Sequence, residues 1–432
     1  MNKNKKKKIA IIFCVKQWDV YYSLVHVVKS QIRVLVSNGY KPRILLLQGC
    51  SFGEQKRNVD YRACIPYFSS QKRNLAQRVF FAQVGKVEKA LEKNLRGIDI
   101  VFTHDLMYLL SYARENIAIR RVAKKMRHMR WLHWMHSCPY SPEKKRRYPY
   151  NTLWTDMPNA KFVCVNKSYR KDFALMYKIP IQKIATVYNP RSLLDFMDMD
   201  ILTSKIIAKG DLLNADIVAM MPWNLNRPQK QLEIGIYIMA ALKAYGRSVR
   251  LVFATPLEKK KDYFYFMRLR WLADKVGLSE KEVIFTYEVD TRLRKGCPEK
   301  VIRGIFQVSN LFIHPSLHEG CSMALLEAAI TRNLCVLNKD VPGLKELANA
   351  NAVWIKCYDV RREIMRLYGR TAVSYEYFYR YYVDKKGHYK RCALKILDSL
   401  SKSKTLSLFT KIKKEFNEQA IFGKQLKPLI DE

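Results

Sequence analysis

Residues 217–255 read IVAMMPWNLNRPQKQLEIGIYIMAALKAYGRSVRLVFAT, and this stretch decides the fold class. The apolar run Ile217–Pro222 predicts a buried strand. A polar loop follows, then Gln231–Tyr245 at helical length, then a second apolar run, Arg250–Thr255. Strand, helix and strand in that order give a parallel sheet, because the helix is the crossover between neighbouring strands. The series continues downstream. Phe264–Val276, Val301–Ser309 and Met323–Ile330 predict helices, and Val283–Thr286, Leu311–His314 and Leu334–Leu337 predict strands.

The same alternation fills the first 190 residues. Strands are predicted at Ile9–Val15, Arg43–Leu47, Asp99–His104, Arg130–His136, Lys161–Asn166 and Ile184–Tyr188. Helices are predicted at Val20–Ser37, Leu75–Leu95, Leu106–Met126 and Lys171–Tyr177, the first stopped by Asn38-Gly39. The expectation is two α/β domains, each a doubly wound parallel sheet, joined near Asn189-Pro190 and the stretch 191–214. From Tyr375 onward the pattern is helical, aromatic and basic. No GxGxxG follows the first strand, so a Rossmann-type dinucleotide site is unsupported.

Composition bounds the rest. Of 432 residues, 49% are hydrophobic and 12% aromatic, enough to bury a core and exclude wholesale disorder. No uncharged apolar run reaches the roughly 18 residues of a membrane span. The seven apolar residues Ile9–Val15, followed by Lys16, make a poor signal-peptide core and a good strand. Ten Cys without a CxxC pair read as reduced thiols of a cytoplasmic protein. The formal net charge is +40, which implies a polyanionic partner. It is unevenly placed. Residues 1–150 hold 31 basic against 9 acidic residues, whereas residues 301–350 hold 4 of each.

The chemistry concentrates in His314-Pro-Ser-Leu-His-Glu-Gly-Cys-Ser-Met-Ala-Leu-Leu-Glu-Ala-Ala329. Glu319 leaves a strand through a short loop, and Glu327 lies about one turn into the next helix. The amides of Gly320, Cys321, Ser322 and Met323 stand at that helix's amino end, where free N–H groups and the dipole favour phosphate. Carboxylates on either side suit sugar hydroxyls. The layout fits a nucleotide-sugar, and it also fits an ordinary helix start with surface Glu.

The segment resembles the donor motif of glycosyltransferase family 4, retaining enzymes of GT-B fold, in which two Glu stand eight apart after a strand and a Pro-Ser pair. Asn166–Phe173, Tyr177-Lys-Ile-Pro180 and Val187-Tyr-Asn-Pro190 resemble the family's inter-domain stretch. Asn224–Lys230 resembles its basic diphosphate loop, and Asp340-Val-Pro-Gly343 the loop before a Glu-rich helix. The similarity spans residues 9–350. It implies a GT-B architecture, two Rossmann-like domains facing across a cleft. Residues 1–190 would bind the acceptor and 191–374 the nucleotide-sugar, with a helical segment 375–432 packing back toward the amino-terminal domain.

By the same resemblance, Glu319 contacts the donor sugar, Glu327 the ribose, and Arg227 and Lys230 the departing diphosphate, with Asn224 in the same loop. Tyr287 falls where the nucleobase lies, and His136 approaches the sugar from the acceptor domain; without the resemblance, His136 reads equally as a strand cap. The leaving phosphate takes the acceptor's proton, the donor is a nucleotide-sugar such as a UDP-sugar, and the basic pair replaces a metal. The chain departs from the family in lacking Gly in the loop Lys16-Gln17-Trp18-Asp19 and in the spacing of Arg227 to Lys230.

The acceptor side carries the charge. Lys144, Lys145, Arg146 and Arg147, flanked by tyrosines, read either as a solvated loop or as a nucleic-acid contact. Arg127 and Arg130 close a basic stretch suited to phosphate or anionic lipid. Two acceptors follow: duplex DNA bearing a hydroxymethylated pyrimidine, as for phage-type DNA glycosyltransferases acting in the host cytoplasm, or a lipid-linked or lipopolysaccharide acceptor at an anionic membrane surface. The spread of charge over several loops favours DNA. A third reading, an inactive nucleic-acid-binding module, is disfavoured by the intact Glu319, Glu327 and Lys230. No obligate protein partner is evident.

Overall fold

The computed structural model describes residues 6–18, 23–51, 57–68, 77–137, 148–223, 225, 228–369 and 374–432. The chain divides into two compact units, residues 1–192 with 416–432, and residues 193–415.

The first unit is built on seven strands: β1 (Ile9–Phe13), β2 (Arg43–Leu47), β3 (Asp60–Ile65), β4 (Ile100–His104), β5 (Arg130–Met135), β6 (Ala160–Cys164) and β7 (Ile184–Thr186). Their order is β3-β2-β1-β4-β5-β6-β7, and every pair is parallel. Alternate residues of β1 enter different cores. Ala10 and Ile12 pack with the helices Gln77–Asn94 and Ala113–Lys125. Ile9, Ile11 and Phe13 pack with the helix Ser23–Ser37 and with Ile421, Phe422, Leu426, Leu429 and Ile430 near the carboxyl end. Burial on both faces explains why β1 reads as a continuous apolar run rather than an alternating one.

The second unit has six parallel strands: β8 (Ile217–Met221), β9 (Val249–Phe253), β10 (Val283–Phe285), β11 (Leu311–His314), β12 (Leu334–Asn338) and β13 (Val353–Ile355). Their order is β10-β9-β8-β11-β12-β13. The helix Leu232–Ala244 is buried from Leu232 to Leu242 because the long helix Glu376–Lys402 covers the side turned from the sheet. Tyr237 donates its hydroxyl hydrogen to the Phe378 carbonyl at 2.8 Å and stacks on Tyr382. The stretch after Tyr375 is therefore shared: residues 376–415 belong to the second unit and 416–432 to the first.

Each sheet reverses its winding once. After β3 the chain returns to pair β4 with β1, and after β10 it returns to pair β11 with β8. Helices diverge at these points, and the crevice beyond the strands' carboxyl ends is where open α/β sheets bind ligands. Among the described residues, no helix is long and apolar enough to cross a membrane.

Candidate functional site

The second unit's reversal point gathers most of the predicted donor residues. Beyond β8 the chain runs through Pro222 and Trp223; Asn224 and Arg227 lie outside the described residues. Pro228–Lys230 form one tight helical turn, and Gln231, at φ +51°, redirects the chain into the next helix. The turn sends Lys230 inward, where it is 6% exposed. Its ammonium pairs with the Glu319 carboxylate and stands 4.2 Å from the centre of the Trp223 ring.

Beyond β11 the loop is held from several directions. The Leu317 amide donates to the Gln229 carbonyl at 2.9 Å, and the Asn338 side chain donates to the Ser316 carbonyl at 3.0 Å. Gly343 approaches so closely that a Cβ there would stand 2.6 Å from the Gly320 carbonyl oxygen, so no larger residue fits. His314, fully buried, ends β11 with its Nε2 3.0 Å from Ser322 Oγ and 3.3 Å from a Glu319 oxygen. Burial first, and the Lys230 ammonium second, push its pKa down to about 3. The ring is therefore neutral, and the Nε2–H tautomer faces both oxygens. Ser322 caps the helix Met323–Ile330 by accepting from the Leu325 amide at 3.3 Å.

These groups line a cavity of about 480 Å³. Lys230, Glu319, Cys321, Ser322, Met323 and Glu327 all contribute to it, and Gly320 sits in the exposed loop between Glu319 and Cys321. Half-buried Glu327 holds its proton more tightly than an ordinary Glu, first because of burial and second because of Glu299. Tyr287 lies apart, in the short turn Thr286–Val289, edge-on to Phe266 at 5.3 Å; burial raises its pKa. Six lining residues were not singled out from the sequence: Pro222, Trp223, Cys297, Glu299, Ile302 and Ala324. Their signal was available in position, since Pro222 and Trp223 follow β8, Cys297, Glu299 and Ile302 lie at the start of the helix (Glu299–Val308) that leads into β11, and Ala324 lies in the first turn of the helix after it.

The first unit's reversal point is of another kind. His104 ends β4 and His136 follows β5, and their rings stack with His104 Nδ1 2.9 Å from His136 Nε2. Asp105, at φ +59°, accepts from the His136 amide at 2.9 Å. Burial pushes His136 down to about 4, holds His104 well below the usual imidazole range, and pushes Asp105 up to about 6. His136 Nδ1 and His104 Nε2 are buried with no protein partner among the described residues. His136 thus has one nitrogen on His104 and the other enclosed. Trp18, from the loop lacking Gly, packs edge-on against Phe13 and Tyr61.

Of the expected anion-binding residues, Arg127 and Arg130 are described. Lys144, Lys145, Arg146 and Arg147 lie outside the described residues. Arg130 opens β5 while His136 follows its far end, a separation of roughly 20 Å at the rise of a strand. Its guanidinium donates to the Leu429 and Ile430 carbonyls at 2.8 and 3.3 Å and stands 3.6 Å from the Glu432 carboxylate, so it anchors the carboxyl-terminal segment. Arg120 is likewise taken up by the carbonyls of Leu153, Thr155 and Asp156. Arg127 is exposed in the turn before β5 and bonds the Lys124 carbonyl only at 3.4 Å.

No family model matches the chain, and no curated protein matches it. Among solved structures it is similar to a glycosyltransferase from Rickettsia africae at 15% identity, covering 95% of this chain and 99% of that one, with a TM-score of 0.30. It is similar to sucrose-phosphate synthase from Thermosynechococcus elongatus at 13% identity, over 99% and 100% of the two chains, with a TM-score of 0.36. It is also similar to the Anabaena protein HepE solved in complex with UDP-glucose, at 13% identity over 98% and 100%, with a TM-score of 0.33.

Proposed function

We propose that this chain is a glycosyltransferase that moves a sugar from a nucleoside-diphosphate sugar to a strongly anionic acceptor. One observation supports it above the others: a cavity at the β8/β11 reversal point combines a buried lysine, a capped helix amino end and two carboxylates, Glu319 and Glu327. A diphosphate needs positive charge and free N–H groups, which Lys230 and the amides near Met323 supply. Glu319 contacts the transferred sugar and Glu327 the ribose. Arg227 shares the departing charge with Lys230, so the diphosphate is neutralised by side chains. Transfer proceeds with retention, the leaving phosphate taking the acceptor's proton on the same face.

On the acceptor side the reading is duplex DNA carrying a hydroxymethylated pyrimidine, supported by the excess of 31 basic over 9 acidic residues in 1–150. The run Lys144–Arg147 is assigned there, and His136, with one ring nitrogen on His104 and the other enclosed, shapes that side without transferring a proton. A second reading, transfer at an anionic membrane surface, is favoured by one feature. The helix Lys260–Lys275 leaves Tyr263, Phe264 and Met267 exposed at 50%, 55% and 40%, beside Lys259, Lys260 and Lys261. Apolar side chains flanked by lysines suit an anionic bilayer interface.

The deciding experiment incubates the full chain with radiolabelled UDP- and GDP-sugars and hydroxymethylated DNA, unmodified DNA, or anionic lipid extract. Label on modified DNA alone is expected. Label on lipid alone replaces DNA by the membrane reading, and the absence of transfer and of donor hydrolysis with every donor refutes the enzyme.

A further inference from the structure

The cavity of the second unit is lined by two chemically opposite groups. One comprises Lys230 and the amino end of the helix Met323–Ile330. The other comprises the carboxylates of Glu327 and Glu299, with the apolar Ile302. Glu299 and Ile302 share the first turn of the helix Glu299–Val308, which starts after Pro298. Glu327 holds its proton more tightly than an ordinary Glu, first because of burial and second because of Glu299, and a ligand that brings hydrogen-bond donors to both carboxylates offsets that cost. Neither carboxylate suits a phosphate, so this end of the cavity fits an uncharged, donor-bearing part of a ligand.

A nucleoside diphosphate whose phosphates sit at Lys230 and the helix's amino end has its ribose one turn further on, at Glu327. Of the cavity lining, that pose leaves Glu299 and Ile302 for the base. We propose that Glu299 determines donor specificity by accepting hydrogen bonds from the nucleobase, and that the base is guanine. Guanine presents N1–H and N2–H₂ side by side, matching the two oxygens of a carboxylate, which can only accept. Uracil presents one N–H between two carbonyl oxygens, and both carbonyls repel a carboxylate. Ile302 supplies an apolar contact for the ring face. The inference rests on the donor-site reading above and names the substrate class of that site.

The test is calorimetric titration of the full chain with GDP and with UDP. GDP is expected to bind at least about ten-fold more tightly, the scale of a hydrogen bond to a charged partner. Glu299→Gln is expected to erase that preference, weakening GDP about ten-fold and leaving UDP unchanged. Glu327→Gln is expected to weaken both alike, since both carry ribose. Glu299 is exposed and caps nothing, so its variants retain the fold. Equal or tighter UDP binding overturns the proposal, as does a Glu299→Gln variant in which GDP and UDP weaken together. Binding of neither nucleotide overturns the donor reading itself.

Discussion

The two reversal points are alike in topology and opposite in chemistry. Both lie beyond the carboxyl ends of central parallel strands, β1/β4 in the first unit and β8/β11 in the second. The second is occupied by charge: Lys230 paired with Glu319, His314 against both, and Glu327 near Glu299. The first holds no ion pair among the described residues: two imidazoles kept unprotonated by burial, aromatic rings, and one buried aspartate whose proton leaves only near pH 6. The same backbone geometry yields a charged cavity or an enclosed polar cluster, according to which side chains follow the strands.

If the contrast is functional, disturbing the charged crevice should cost most. Lys230→Ala is expected to lower sugar transfer by about 10²–10³-fold, as for other groups facing charge that develops in a transition state. Glu319→Gln is expected to lower turnover by roughly 10² while binding nucleoside diphosphate at least as tightly as the parent, because Lys230 is released from its partner. Calorimetry beside a turnover assay separates the two effects, and weaker nucleotide binding in Glu319→Gln would contradict the pairing argument. Glu327→Ala is expected to raise the donor KM about ten-fold with a smaller change in kcat. His136→Ala is expected to cost less than about ten-fold, since neither ring nitrogen is open; a loss matching Lys230→Ala would erase the contrast.

The smallest effect is on acid stability. His104, His133 and His136 in the first unit have folded pKa values below the unfolded one, His133 at about 3 and His136 at about 4. The unfolded chain therefore binds more protons as pH falls from about 6.5 to 4, and stability falls with it. Asp105 and Glu115 act in the opposite sense, because burial raises their folded pKa, Asp105 to about 6, but they are two groups against three. The second unit has His314 as its fully buried counterpart. Hydrogen exchange at pH 4.5 is expected to show the first unit opening before the second; the reverse order would contradict this.

Much of this architecture was legible in the sequence, because central strands buried on both faces write themselves as apolar runs. Arg43–Leu47, Leu311–His314 and Met323–Ile330 are elements where the pattern predicts them. β3 was not visible: Asp60-Tyr-Arg-Ala-Cys-Ile65 is an edge strand with exposed charges, and its Asp60 pairs with Arg43 and Arg62. The helix Ile201–Gly210 was hidden in the linker, although Asp200 caps it by accepting from the Leu202 and Thr203 amides. At the site, Glu319, Glu327 and Lys230 stood out by spacing. Glu299 and Trp223 did not, because their role comes from strands and helices far apart in sequence meeting at one cavity. Arg130 misled because a charge in a basic stretch says nothing about whether a carbonyl of residue 429 has already claimed it.

One feature of the fold bears on how the chain is made. The core under β1 is finished by Ile421, Phe422, Leu426, Leu429 and Ile430, whereas the rest of that core lies within residues 1–192. Residues 193–415 are synthesised in between. At ribosomal speeds of about 5–20 residues per second, the first unit waits roughly ten to forty-five seconds for its last wedge. During that interval the second unit can close on contiguous sequence, so the part made first is completed last. The closing segment thus works as a seal on the nascent chain, and a ribosome that stops before it releases a product in which one face of the first sheet is covered only in part, by the helix Ser23–Ser37.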